Sequence, residues 1–181
     1  ISFDSYSEQK KFKVHTVGFY NLENLFDTIN DTSKRDEASP IMEMKYNRSE
    51  VYNKKIQNLS KVIAEIGYEE TKALPTIIGL CEVENKKVIE DLIDSDLLRN
   101  ADYAISHFDS PDERGIDVAL IYKNKLFEVV NEKSVYLELK HESGKINYTR
   151  DQLVVEGILE GEKIFLIVNH WPSRSGGELG S

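Results

Sequence analysis

At 181 residues the chain has the length of a single domain, and a chain of that size buries about 70% of its unfolded surface on folding. With 40% hydrophobic and 30% charged residues it reads as globular, and no apolar run approaches the ~18 residues of a membrane helix. A formal net charge of -9 argues against coating nucleic acid by charge alone, and the single cysteine, Cys81, excludes an internal disulfide framework and a cysteine-rich zinc site.

Any anionic substrate must therefore be met locally, and a divalent cation between carboxylates does this on an acidic surface. Cys81 itself, inside an apolar run, reads as a small buried residue. The start Ile1-Ser2-Phe3-Asp4 carries no signal peptide. A mature secreted or periplasmic chain lacks one too, so the compartment stays open.

Residues 1–11 are polar and aperiodic and read as a lead-in, leaving residues 12–181 as the domain. Val14, Thr16, Val17 and Phe19 predict a strand over 12–20 running into Asn21. Asp27 to Asn47 is aperiodic and reads as a long loop of the kind that often carries function. Asn47 with Glu50 predicts a helix start, Tyr52, Ile56, Leu59, Val62 and Ile63 continue at helical spacing, and Gly67 stops the run.

Pro75 opens a continuous apolar strand to Cys81, the pattern of a strand buried on both faces. Asn85 then caps a second helix through Val88, Ile89 and Leu92. Beyond it the pattern is of strands alone: near Tyr103 to His107, then 116–122, 126–139, 147–159 and 163–169, with a hairpin at Gly161. Helix–strand alternation followed by hairpin strands indicates α+β, with helices packed on a mixed sheet.

Strand ends bring the chemistry. Glu82 follows an apolar run and should sit at the mouth of the core, where either a hard cation or a salt bridge compensates its charge. Asn21 ends the first strand, with a hard oxygen suited to Mg²⁺ or Ca²⁺ or else a turn role, and Glu23 shares its face at i+2 in extended backbone. Glu84 and Asn85 read as solvated or capping, and Asn24 and Asp27 as caps of a short turn through Leu25 and Phe26.

His170 ends the last strand, where an imidazole can act as general acid or base. The following Pro172-Ser173-Arg174-Ser175-Gly176-Gly177 offers hydroxyls, a guanidinium and glycine backbone to phosphate oxygens; His15, His107 and His141 have no such company. Arg150, expected within a strand, either grips phosphate or pairs with Asp151 or another acid, and spacing favours the pair. Arg114 and Asp117 open another strand and are equally turn or ion-pair residues.

Five strings occur in an order that resembles the endonuclease/exonuclease/phosphatase superfamily with its deoxyribonuclease-I-like fold: FYNLENLFD, GLCEVEN, RGIDVALIY, TRDQLVVEG and VNHWPSRSGG. The resemblance implies a four-layer α/β/β/α sandwich and metal-dependent phosphate-ester hydrolysis with Mg²⁺, Mn²⁺ or Ca²⁺. Its substrate would be a phosphate ester, with nucleic acid and small esters such as an inositol phosphate both open and a non-catalytic scaffold as the rival. Carried over, Asn21 and Glu82 match the metal-site residues, Glu23 an additional acid, His170 a catalytic histidine and Arg150 a phosphate-binding arginine. Arg174 and Asp117 are lesser substrate-binding candidates. The family's later Gly-Asp-Phe-Asn and Ser-Asp-His motifs do not occur in the chain, so it is expected to be an N-terminal portion and inactive alone.

Overall fold

The structure is a computed structural model that describes residues 12–140 and 143–171. The lead-in 1–11, His141 and the stretch containing Arg174 lie outside the described residues. At its centre is the apolar strand β2 (Ile77–Val83), buried along nearly its whole length. It pairs in parallel with β1 (Val17–Leu25) and antiparallel with β4 (Asp117–Lys123), which in turn pairs with β3 (Tyr103–His107).

Because strand side chains alternate, β2 serves two cores at once. Ile78 and Leu80 face α1 (Arg48–Glu65) and α3 (Lys86–Ile93), packing with Ile56, Leu59, Ile63, Val88, Ile89 and Leu92. Ile77 and Cys81 face a second sheet, where they meet Phe127, Leu153, Val155 and Val168. That sheet has the order β5-β8-β9, from β5 (Phe127–Val135), β8 (Gln152–Leu159) and β9 (Glu162–Val168). The short β6 (Leu139–Lys140) and β7 (Ile146–Asn147) pair separately, and α2 (Tyr68–Thr71) follows α1.

Helices, first sheet and second sheet make three layers of α+β architecture among the described residues. On the outer face of the second sheet Phe165 and Ile167 are 63% and 59% exposed. No helix of the described residues is long and apolar enough to cross a membrane.

Several expectations shift, for local reasons. The first strand begins at Val17 rather than residue 12 because β2, its ladder partner among the described residues, begins opposite it at Ile77. It continues through Leu25, so Leu25 and Phe26 form no helical turn. The strand expected over 126–139 breaks at Val135, opposite Gln152 where β8 begins; Arg150 therefore precedes a strand instead of lying within one. Asn47 sits in the left-handed region at φ 60 and makes no side-chain cap, since a capping side chain needs extended backbone. Asn85 does cap α3, its side chain accepting from Val88 N at 3.1 Å. Glu160 and Gly161 both take positive φ, the two-residue turn that matches strand twist, and join β8 to β9 as the expected hairpin.

Candidate functional site

The two neighbouring strands that carry Asn21 and Glu82 lose register side by side. β1 is irregular between Asn21 and Leu25, and β2 between Cys81 and Val83. At the β2 irregularity Glu82 takes φ 60, a left-handed backbone that costs a non-glycine residue about 1–3 kcal/mol. Glu23 and Asn24 are left-handed as well, at φ 52 and 58. Such strain is what re-aims a side chain at the end of a strand.

Two donors hold the displaced carboxylate and an imidazole lies beside it. Asn21 Nδ2 donates to Glu82 Oε1 at 3.0 Å, and the backbone N–H of Asn24 donates to Oε2 at 2.9 Å. His170 Nε2 lies 3.4 Å from Oε1, with the two side chains only 18% and 19% exposed. The Asn21 amide is itself oriented, because its Oδ1 accepts from Glu23 N at 2.7 Å. The structure thus brings Asn21, Glu82 and His170 together from three distant segments.

Burial, with the Arg150 guanidinium second, holds the His170 imidazole below its ordinary pKa. Nε2 is the ring nitrogen on the side of the Glu82 carboxylate. Nδ1 and the neighbouring Asn169 Oδ1 are buried without a hydrogen-bond partner among the described residues.

Arg150 is buried behind the histidine. Its Nε donates to His170 O at 3.0 Å, one terminal nitrogen to Asp112 Oδ2 at 3.2 Å and the other to Trp171 O at 3.4 Å. The acid it chooses is Asp112 and not the adjacent Asp151, which instead accepts from Ser134 Oγ. Glu23 is exposed and lines a groove along α1 with Lys54 and Lys55, because its left-handed backbone breaks the i+2 alternation that would have set it beside Asn21. Asp117 is buried, accepts from Ser110 N at 2.9 Å and meets His107 Nε2 at 3.1 Å.

Sequence reasoning passed over four groups. Lys55 Nζ donates to the carbonyls of Glu23 and Asn24, the latter at 2.9 Å, which brings a cation to the strand irregularity. Desolvation lowers its pKa, partly offset by Glu23 and Glu82. The second is Asp112, and its one signal is its place in a turn just before the Arg114 string. Third, His107 is not isolated: with Asp109 and Asp117 it forms a group whose ligand atoms all lie within 4.8 Å of one another. Glu84, expected to be solvated or capping, is buried; that burial, reinforced by Asp27, Asp36 and Asp31, raises its pKa to about 7.

The Glu82 cluster suits a hard divalent cation in its donor chemistry. A carboxylate offers about four lone-pair sites, so Glu82 retains acceptor capacity beyond its two hydrogen-bond donors, and Asn21 Oδ1 has used one of two. Both supply oxygen, which favours Mg²⁺, Mn²⁺ or Ca²⁺ over softer ions.

Two packed sheets with helices outside the first, and polar residues gathered where the strands end, define an α+β sandwich of the deoxyribonuclease-I-like kind. The chain belongs to the Endonuclease/Exonuclease/phosphatase family, whose sequence model matches residues 16–181. Among solved structures it is similar to a humanized TDP2 from D. rerio carrying 14 mutations, at 13% identity and a TM-score of 0.48, covering 82% of this chain and 44% of that one. It is also similar to the human Nocturnin catalytic domain with bound sulfate, at 20% identity and 0.44, covering 66% and 44%. A third is an endonuclease/exonuclease/phosphatase from Bacteroides vulgatus, at 13% identity and 0.46, covering 83% and 49%. The chain thus spans less than half the length of each of these three structures. No curated protein matches it significantly.

Proposed function

We propose that the protein containing this chain is a divalent-metal-dependent phosphodiesterase acting on nucleic acid, with its reaction centred on Glu82, Asn21 and His170. The observation that carries this reading is Glu82, a non-glycine residue held at φ 60 inside a strand while two donors from β1 bind its carboxylate and the His170 imidazole lies beside it. A salt-bridged surface acid needs no such backbone distortion, and strain of this kind concentrates where geometry serves a ligand.

Glu82 and Asn21 would hold the cation, which when bound supplies a Lewis acid for the phosphate and counter-charge for the leaving oxygen. The donors around Glu82 fix the direction of its carboxylate before substrate arrives, so little reorganisation remains at the moment of reaction. His170, held below its ordinary pKa by burial, would hydrogen-bond a phosphate oxygen or transfer a proton through Nε2. Arg150 holds the carbonyls of His170 and Trp171 and so positions the imidazole. Lys55 adds positive charge beside the Glu82 carboxylate.

The test uses the full-length protein. Nicking of supercoiled plasmid with Mg²⁺ should exceed phosphate release from small monoesters, stop with EDTA and fall on the order of 10²–10³-fold in Glu82→Gln. Unchanged nicking in Glu82→Gln removes this residue from the mechanism. Monoester turnover exceeding nicking replaces the diesterase by a phosphatase.

A further inference from the structure

Two of the hydrogen bonds that aim the Asn21–Glu82 cluster start from adjacent residues. The backbone N–H of Glu23 donates to Asn21 Oδ1 at 2.7 Å, and that of Asn24 to Glu82 Oε2 at 2.9 Å. Glu23 and Asn24 both hold positive φ, at 52 and 58. Neither is a glycine, so contacts from outside must hold the pair in that conformation.

The contact comes from α1. Lys55 Nζ donates to the carbonyl of Glu23 and to that of Asn24, the latter at 2.9 Å. The ammonium thus takes the carbonyls of the same two residues whose N–H groups orient Asn21 and Glu82. Lys55 is half-buried, and Ile56 beside it packs into the core with Leu59 and Ile63. The lysine therefore reaches the strand irregularity from a fixed helix, the kind of base that holds a site to close tolerance.

We propose that Lys55 is a positioning residue for the cation site. It fixes the left-handed Glu23–Asn24 pair, and through their N–H groups it sets the directions of the Asn21 amide and the Glu82 carboxylate. This role rests on the reading of Asn21 and Glu82 as the residues that hold the cation. Two simpler roles predict different outcomes. A lysine acting as charge alone would repel the cation, so its removal would tighten divalent-ion binding. A lysine that gripped the substrate would, when removed, raise KM and leave kcat unchanged. Loss of positioning instead weakens the cation and lowers kcat at constant KM, because ligands that must be ordered on binding lose affinity.

The experiment is calorimetric titration of the chelator-stripped full-length protein with Mg²⁺, beside steady-state hydrolysis of an oligonucleotide. In Lys55→Met, Mg²⁺ binding should weaken by about tenfold, the effect of misaligning one hydrogen bond to a charged group, and kcat should fall with KM held. Lys55→Arg keeps the charge and more than one donor and should stay within about threefold of the unaltered protein. Lys55→Gln, with a shorter neutral donor, should fall between the two and reports on the role even if Lys55→Met fails to fold. Lys54→Met deletes an equal charge at the exposed neighbouring position and should leave Mg²⁺ affinity within about twofold. Unchanged or tighter Mg²⁺ binding in Lys55→Met and Lys55→Gln, equal weakening in Lys54→Met, or a rise in KM at constant kcat overturns the positioning role alone. Absence of Mg²⁺ binding in the unaltered protein, or undiminished binding in Glu82→Gln, overturns the cation assignment and this role with it.

Discussion

Replacing Arg150 with methionine removes a guanidinium that joins three pieces of backbone behind His170. In the structure Arg150 and Asp112 are 3.2 Å apart with side chains only 6% and 4% exposed, so the variant leaves an acid buried without its counter-charge. Breaking one side of such a pair costs about 3–5 kcal/mol. Asp112 keeps a hydrogen bond from Arg114 N at 2.9 Å and the Arg114 guanidinium at 3.7 Å, which places the expected loss at the lower end, about 3 kcal/mol. With a urea m-value of about 2 kcal/mol/M, the midpoint of the full-length protein should fall by about 1.5 M.

The double variant Arg150→Met, Asp112→Leu should recover most of that loss, because neither charge then remains to be desolvated. Arg150→Lys should recover little, since an ammonium cannot reach His170 O, Trp171 O and Asp112 with one planar fork. A loss under about 1 kcal/mol in Arg150→Met, accompanied by a collapse of hydrolysis, would refute this reasoning and return the guanidinium to the substrate.

Two more outcomes follow from particular packing. Glu84 has a folded pKa of about 7 against an ordinary 4.5, so the folded state holds a proton that the unfolded state releases. In chelator the contribution of Glu84 to stability should be greatest below about pH 4.5, decline by at most about 3 kcal/mol as pH rises to about 7, and then level off; the difference between the protein and Glu84→Gln should follow that curve, and urea midpoints across pH that run parallel for the two would contradict the assignment. At Gly157 a Cβ would stand 2.2 Å from Phe127 Cζ and 2.7 Å from Glu128 O, so Gly157→Ala must displace a buried ring or the backbone. It should cost about 1–3 kcal/mol in thermal or urea unfolding, and an unchanged midpoint would show that the β5–β8 packing is looser than described.

The amino-acid sequence by itself determined the elements whose signal is local: the doubly buried run of β2 ending in Glu82, the Asn85 cap, the two-residue hairpin at Gly161 and the periodic face of α1. Periodicity and turn chemistry act over a few residues, and they can be read from a few residues. It also singled out Asn21, Glu82 and His170 as strand-end polar groups, and their meeting is legible in that pattern.

The tertiary structure alone decided which partners those side chains take. Arg150 passes over its neighbour Asp151 for Asp112, 38 residues away, because the sheet packing buries that acid and not the adjacent one against the guanidinium. Glu84 is enclosed and Glu23 exposed for a similar reason: paired irregularities in β1 and β2 turn the backbone left-handed at Glu23 and Glu82, reversing the alternation on which a face assignment depends. Pairing among many acids is a matter of distance and desolvation, quantities that exist only once the chain has folded.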